Sequence, residues 1–113
     1  MLNPLFDLTG RAALVTGGSK GIGKAIARAL AEAGANVAIS ARHEDELQKA
    51  AAEIGQGLDV QVAWRVADMG SRPDTDALAQ WALTTLGRVD ILFNNAGSNS
   101  PEPLATADRK SVV

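Results

Sequence analysis

Short apolar runs alternate along this chain with longer stretches in which apolar residues return every three or four positions. Residues 12–16 form a compact apolar run that ends at Gly17-Gly18, which predicts a buried strand. Residues 22–33 are rich in Ala, with Ile26 and Leu30 four apart and Gly34 following, the pattern of a helix with a glycine stop. Residues 37–40 give a second strand. Residues 44–54 give a second helix, with Leu47, Ala50, Ala51 and Ile54 on one stripe. Glu44, Asp45 and Glu46 in its first turn suit the positive end of the helix dipole. A third strand covers 60–66 and runs into Ala67-Asp68. Pro73 suits the opening of a third helix, which ends at Leu86 before Gly87, with Leu78, Trp81, Ala82 and Thr85 sharing a face. Residues 89–93 form a fourth strand, followed by Asn94-Asn95-Ala96-Gly97. A polar, proline-bearing loop (98–103) leads to a fourth helix that starts near Thr106 and is still running at Val113.

Strict alternation of strand and helix implies right-handed crossovers and a parallel sheet covered on both faces. Near-continuous apolar strands agree with burial from both sides. The expected fold is α/β, a doubly wound, Rossmann-like parallel sheet, with its four strands ordered 3-2-1-4 by analogy with that fold. The 113 residues suit one domain, 1–113. A net charge of −2 without a basic block argues against nucleic acid or an anionic membrane as partner. With no cysteine and a single histidine, the chain offers no thiol nucleophile and no metal cluster, so no metal site is expected. The N-terminus shows no secretory pattern and no run is long enough for a membrane span, so a cytoplasmic protein is expected.

The chemistry concentrates in Thr16-Gly17-Gly18-Ser19-Lys20-Gly21-Ile22-Gly23, between the first strand and the first helix. In doubly wound folds a dinucleotide pyrophosphate meets a helix N-terminus at this place. Glycine allows a tight turn there and lets phosphate oxygens approach backbone N–H groups without a Cβ in the way. The bland reading is that Gly17 and Gly18 merely punctuate a connection, but the strand before and the helix after favour a phosphate cradle.

The spacing is T-G-x-x-x-G-I-G, with glycines at 17, 21 and 23. Together with Asn94-Asn95-Ala96-Gly97 at the correct distance, it resembles the short-chain dehydrogenase/reductase family, and the resemblance runs through the whole chain. It implies an oxidoreductase that interconverts alcohols and carbonyls by hydride transfer, acting on a small-molecule substrate. It implies cofactor contacts from Thr16, Gly17, Ser19, Lys20, Gly21, Ile22 and Gly23, an adenine contact from Asp68, and a nicotinamide-side border at Asn94, Ala96 and Gly97. The helix near Thr106 resembles the family's subunit interface, which implies a homo-oligomer.

An NAD-preferring site carries an acidic residue about 20 positions after the glycines, to bind the ribose 2′-hydroxyl. Ser40-Ala41-Arg42 stands there instead. A guanidinium fork suits a phosphate, and Lys20 is a second cation within the loop. The expected cofactor is therefore NADP(H), preferred over NAD(H). The competing reading of Arg42 is a solvated loop cation paired with Glu44 or Asp45. His43 is assigned no chemistry, Trp64 and Trp81 are expected to pack, and Asp90 to cap or line the fourth strand.

The family's proton donor is a Tyr followed four residues later by a Lys, helped by a Ser and by an Asn on the fourth helix. The chain has no tyrosine, and that Asn would be expected just beyond Val113. No catalytic residue is assigned. The expectation is a truncated oxidoreductase whose 113 residues are inactive by themselves. The alternative is a stand-alone nucleotide-binding module without catalysis.

Overall fold

The computed structural model describes residues 7–95. Seven elements follow in order: β1 (Ala12–Thr16), α1 (Gly21–Glu32), β2 (Asn36–Ala41), α2 (Glu44–Gly55), β3 (Val62–Val66), α3 (Arg72–Leu86) and β4 (Ile91–Asn94). All pairings are parallel and the sheet order is β3-β2-β1-β4, as the alternating pattern predicts. The expected fourth helix and the loop before it lie outside the described residues. No helix among the described residues is long and apolar enough to cross a membrane.

Alternation along the strands divides the interior in two. Val15, Val37 and Ile39 enter one cluster with Ala27 and Ala31 of α1 and Leu47, Ala50, Ala51 and Ile54 of α2. Leu14 and Ala38 enter the other with Leu78 and Ala82 of α3. Successive strand residues point to opposite faces, so β1 and β2 are apolar throughout because both faces are covered. The full stripe expected on α2 is buried. On α3, Leu78 and Ala82 are buried, while Trp81 packs on the second cluster and Trp64 on the first. Both tryptophans therefore serve packing.

Several boundaries, by one or two residues each, and one stripe differ from the sequence expectation. β3 begins at Val62, because Val37 pairs with Val62 while Gln61 only receives the Val37 N–H at its carbonyl, 2.9 Å away. β4 begins two residues late and runs to Asn94. α1 begins one residue early, at Gly21. The buried stripe of α1 is Gly23, Ala27 and Ala31, with Leu30 only partly buried against the cluster. Small residues on that face let the helix axis come close to the sheet, which the apolar pair Ile26 and Leu30 does not reveal.

Side-chain contacts fix α1 against α2. The Arg28 guanidinium donates from Nη1 to the carbonyls of Glu53, Ile54 and Gln56 at 3.2, 3.0 and 2.8 Å, and from Nε to Glu32 at 2.8 Å. The last carbonyls of a helix have no partner within it, and one arginine of α1 donates to two of those of α2, Glu53 and Ile54. Lys24 adds an ion pair to Glu53, and this contact holds the Glu53 carboxyl below its ordinary range.

The late start of β4 has a specific cause at Asp90. Its Oδ2 accepts the Ala12 N–H at 2.9 Å, and its own N–H donates to the Ala12 carbonyl at 2.8 Å. Arg88 grips both carboxylate oxygens, at 2.8 and 2.7 Å. Asp90 thus lines the entry of β4, as expected, and joins it to β1. Arg88 first, and then the Ala12 N–H, hold its carboxyl below the ordinary value of 3.8. A depressed folded-state value means that this stabilisation is present above pH 3.8 and is lost as pH falls through the lower folded value. Asp90→Ala should lower the unfolding free energy by about 1.5–3 kcal/mol, the usual range for hydrogen bonds to a charged group. In urea melts, Asp90→Asn should flatten the loss of stability below about pH 4. An unchanged acid limb in Asp90→Asn would show that other carboxylates carry that loss.

Candidate cofactor site

A parallel sheet brings the C-terminal ends of all its strands to one edge. Thr16, Ser40 and Asn94 lie level in the ladder, with Arg65 beside Ser40. The loops after β1, β2, β3 and β4 therefore gather along the same rim. The chain winds outward from β1 through β2 to β3 and then crosses to β4 on the other side. The resulting divergence of loops beside β1 is where doubly wound sheets bind ligands.

The loop after β1 is anchored from two sides. The N–H groups of Gly17 and Gly18 both donate to the Ser40 carbonyl, at 2.8 and 3.1 Å. The Thr16 hydroxyl donates to Asn94 Oδ1 at 2.7 Å and accepts the Asn95 N–H at 3.1 Å, which locks the end of β1 to the end of β4. Asn95 Nδ2 reaches the Gly17 carbonyl at 3.5 Å. Thr16 is buried and Asn94 is bound to it, so the side chains of these two expected cofactor residues hold the rim together.

The glycines divide the work. A Cβ at Gly23 would lie 2.1 Å from the Gly17 carbonyl oxygen, so its bare backbone lets α1 nest against the loop. The sequence reading reserves that space for phosphate, but the protein fills it with its own backbone. Gly21 is the opposite case. Its φ of +62° belongs to the left-handed region, and a Cβ there would meet nothing within 4 Å. Glycine at 21 thus leaves open space at the mouth of α1.

That helix end is free of acidic groups and of a side-chain cap. Lys20, the residue flanking α1, has extended backbone, makes no side-chain capping bond, and the first turn holds no acidic residue. By contrast, α2 opens with Glu44, Asp45 and Glu46, and α3 with Asp74 and a capping bond from the Asp74 N–H to Ser71 Oγ at 3.4 Å. The unpaired amides and the dipole of α1 make a ready site for phosphate. Ser19 is half-buried in the loop, while Ile22 is exposed on α1, unusually for so large an apolar side chain. An apolar and polar rim of this kind around open space fits a dinucleotide pyrophosphate.

Arg42 directly follows β2, is exposed, and makes no ion pair among the described residues. Glu44, its suggested surface partner, instead accepts from Gln48 Nε2 at 3.1 Å. Lys20 lies 4.0 Å from Glu46. Asp68 is exposed after β3, where its Oδ1 accepts the Gly70 N–H at 2.9 Å and its own N–H donates to Asp74 Oδ2 at 2.9 Å. These bonds fix a turn beside the end of β2. Ala96 and Gly97 lie outside the described residues. Among the described residues no group of three His, Cys, Asp or Glu could hold a metal ion.

Sequence reasoning omits three contributors to this rim. Asn95 belongs to the quoted N-N-A-G segment, and contacts Thr16 at the end of β1 and Gly17 in the loop. Ser40 acts through its carbonyl, which no side-chain pattern can signal. Its buried hydroxyl lacks a hydrogen-bond partner among the described residues. Glu46 meets Lys20 only through the packing of α2 beside α1.

The comparisons with known proteins agree with this geometry. Residues 11–113 match the family described as short chain dehydrogenase. The chain is 44% identical over 98 residues to a rhamnolipids biosynthesis 3-oxoacyl-[acyl-carrier-protein] reductase of Pseudomonas aeruginosa, covering 87% of this chain and 38% of that protein. It is 43% identical over 96 residues to a 7alpha-hydroxysteroid dehydrogenase of Escherichia coli, covering 85% of this chain and 37% of that protein. The crystal structure of a hydroxysteroid dehydrogenase from Escherichia coli superposes with a TM-score of 0.77 at 42% identity, covering 87% of this chain and 40% of the other. The chain thus spans well under half the length of these relatives. A four-stranded parallel sheet, a glycine loop seated on an uncapped helix and a match across nearly all its residues show that the chain belongs to the short chain dehydrogenase family.

Proposed function

We propose that this chain is the cofactor-binding part of an oxidoreductase that interconverts alcohols and carbonyls of small molecules, and that it takes NADP(H) in preference to NAD(H). The bound nicotinamide supplies or accepts the hydride. The observation that carries the cofactor preference is Arg42, exposed at the end of β2 without an ionic partner among the described residues. A carboxylate is absent from the strand end where a ribose 2′-hydroxyl would need it. A guanidinium free of acidic partners is available for a bidentate grip on a 2′-phosphate. The named relatives, a reductase and a dehydrogenase, support the reaction class.

In this reading, the amides at the start of α1 hold the pyrophosphate and Gly21 leaves room for it. Arg42 and Lys20 receive the 2′-phosphate, and Asp68 accepts from the adenine amino group. Asn94, Ala96 and Gly97 border the nicotinamide. The residues present carry the cofactor but include no tyrosine as proton donor, so the 113-residue chain by itself should not consume NADPH with any carbonyl substrate. Turnover by the pure chain would require a proton donor among the residues already present.

Arg42→Ala should weaken NADPH binding roughly tenfold to a hundredfold, the worth of one charge-assisted contact, and leave NADH binding nearly unchanged. Isothermal titration with both cofactors checks this, and equal losses for the two would assign Arg42 a structural task. The glycines should separate in the same assay. Gly21→Val should keep the fold at a cost of about 1–2 kcal/mol for its left-handed backbone, yet lose both cofactors. Gly23→Val should lose cooperative unfolding itself, because its side chain collides with backbone. A folded Gly21→Val protein with unaltered binding would show that the phosphates lie elsewhere.

A further inference from the structure

Resting on the NADP(H) reading of the site, we propose that Glu46 sets how strongly the protein discriminates between the two cofactors, weakening its hold on the 2′-phosphate. Lys20 flanks the start of α1 at the lip of the phosphate cradle, and its ammonium lies 4.0 Å from Glu46 Oε1 in the first turn of α2. This contact spans from the loop after β1 to the helix after β2, which starts just after Arg42. The neighbouring acids are placed differently. Glu44 accepts from Gln48 on its own helix, and Glu53 is engaged by Lys24 farther along α1. Asp45 is exposed and makes no ion pair among the described residues. Glu46 is therefore the acid that reaches a cation of the cofactor site.

Its effect on the two cofactors must be unequal. A phosphate received by Lys20 would bring about two negative charges close to a carboxylate already there. Repulsion between them and competition for the ammonium both oppose NADP(H). The 2′-hydroxyl of NAD(H) is neutral and escapes both effects. At 4.0 Å and with side chains 78% and 41% exposed, the Lys20–Glu46 pair is loose and well solvated. An ammonium in such a pair keeps donors to spare, so Glu46 moderates binding and does not block it. Exposed charges at this separation give effects of a few-fold, and salt screens them.

Calorimetric titration of the full chain with NADPH and with NADH, at low salt and near 1 M salt, tests the proposal. Glu46→Gln should tighten NADPH binding about twofold to fivefold at low salt, and the gain should shrink at high salt. NADH affinity should stay unchanged. In a Lys20→Gln background, removing Glu46 should have a smaller effect, since competition for the ammonium is gone. Unchanged or weaker NADPH binding by Glu46→Gln, or an equal gain for NADH, would overturn the proposal. The two levels of the argument fail separately. If Lys20→Gln and Arg42→Ala both leave NADPH affinity intact, the cofactor reading falls; if they weaken it while Glu46→Gln does nothing, only the role of Glu46 falls.

Discussion

The separation between α1 and the loop that precedes it leaves no room for a single carbon atom. A Cβ on Gly23 would fall 2.1 Å from the Gly17 carbonyl oxygen and 3.1 Å from Asn95 Nδ2. Everything at the rim depends on this close approach. It seats the start of α1 against the loop after β1 and brings Asn95 within reach of that loop. The Ser40 carbonyl completes the arrangement by receiving two consecutive loop amides. In the proposed reading the phosphate cradle consists of backbone, and the side chains around it decide what else the phosphates carry.

Most of the architecture could be read from the sequence, because burial on both faces of a parallel sheet leaves a strong mark. Ala12 to Thr16 are buried without exception, and the α2 stripe of Leu47, Ala50, Ala51 and Ile54 appears as its spacing predicts. Less could be read where backbone or small residues do the packing. The inner face of α1 is Gly23, Ala27 and Ala31, whose contribution is a short helix-to-sheet distance and not a conspicuous apolar run. The displaced start of β4 arises from Asp90 side-chain bonds that substitute for ladder pairing.

The proposed site takes its residues from the sequence, but their division of labour comes from the fold. Arg42, proposed as a phosphate ligand, makes no ion pair among the described residues. Thr16 and Asn94 turn toward each other, and Gly23 turns toward Gly17, so three members of the motif serve the shape of the rim. Motif spacing records which residues belong together, whereas the contact each one makes depends on loops meeting from different strands. The Lys20–Glu46 contact is of this second kind, since it joins residues whose pairing follows from how two helices lie side by side.

The latch between Thr16 and Asn94 joins residues 78 apart in the chain. The β1–β2 and β2–β3 pairings close shorter intervals, each through one helix, whereas the β1–β4 pairing closes over α1, β2, α2, β3 and α3. Loop-closure entropy rises with the interval spanned, and non-local pairings slow folding. The rim that would hold the nucleotide is thus completed by contacts that close the longest intervals among the described residues. A nucleotide that binds only the completed rim would stabilise the native state by mass action, drawing the slowest part of assembly toward completion.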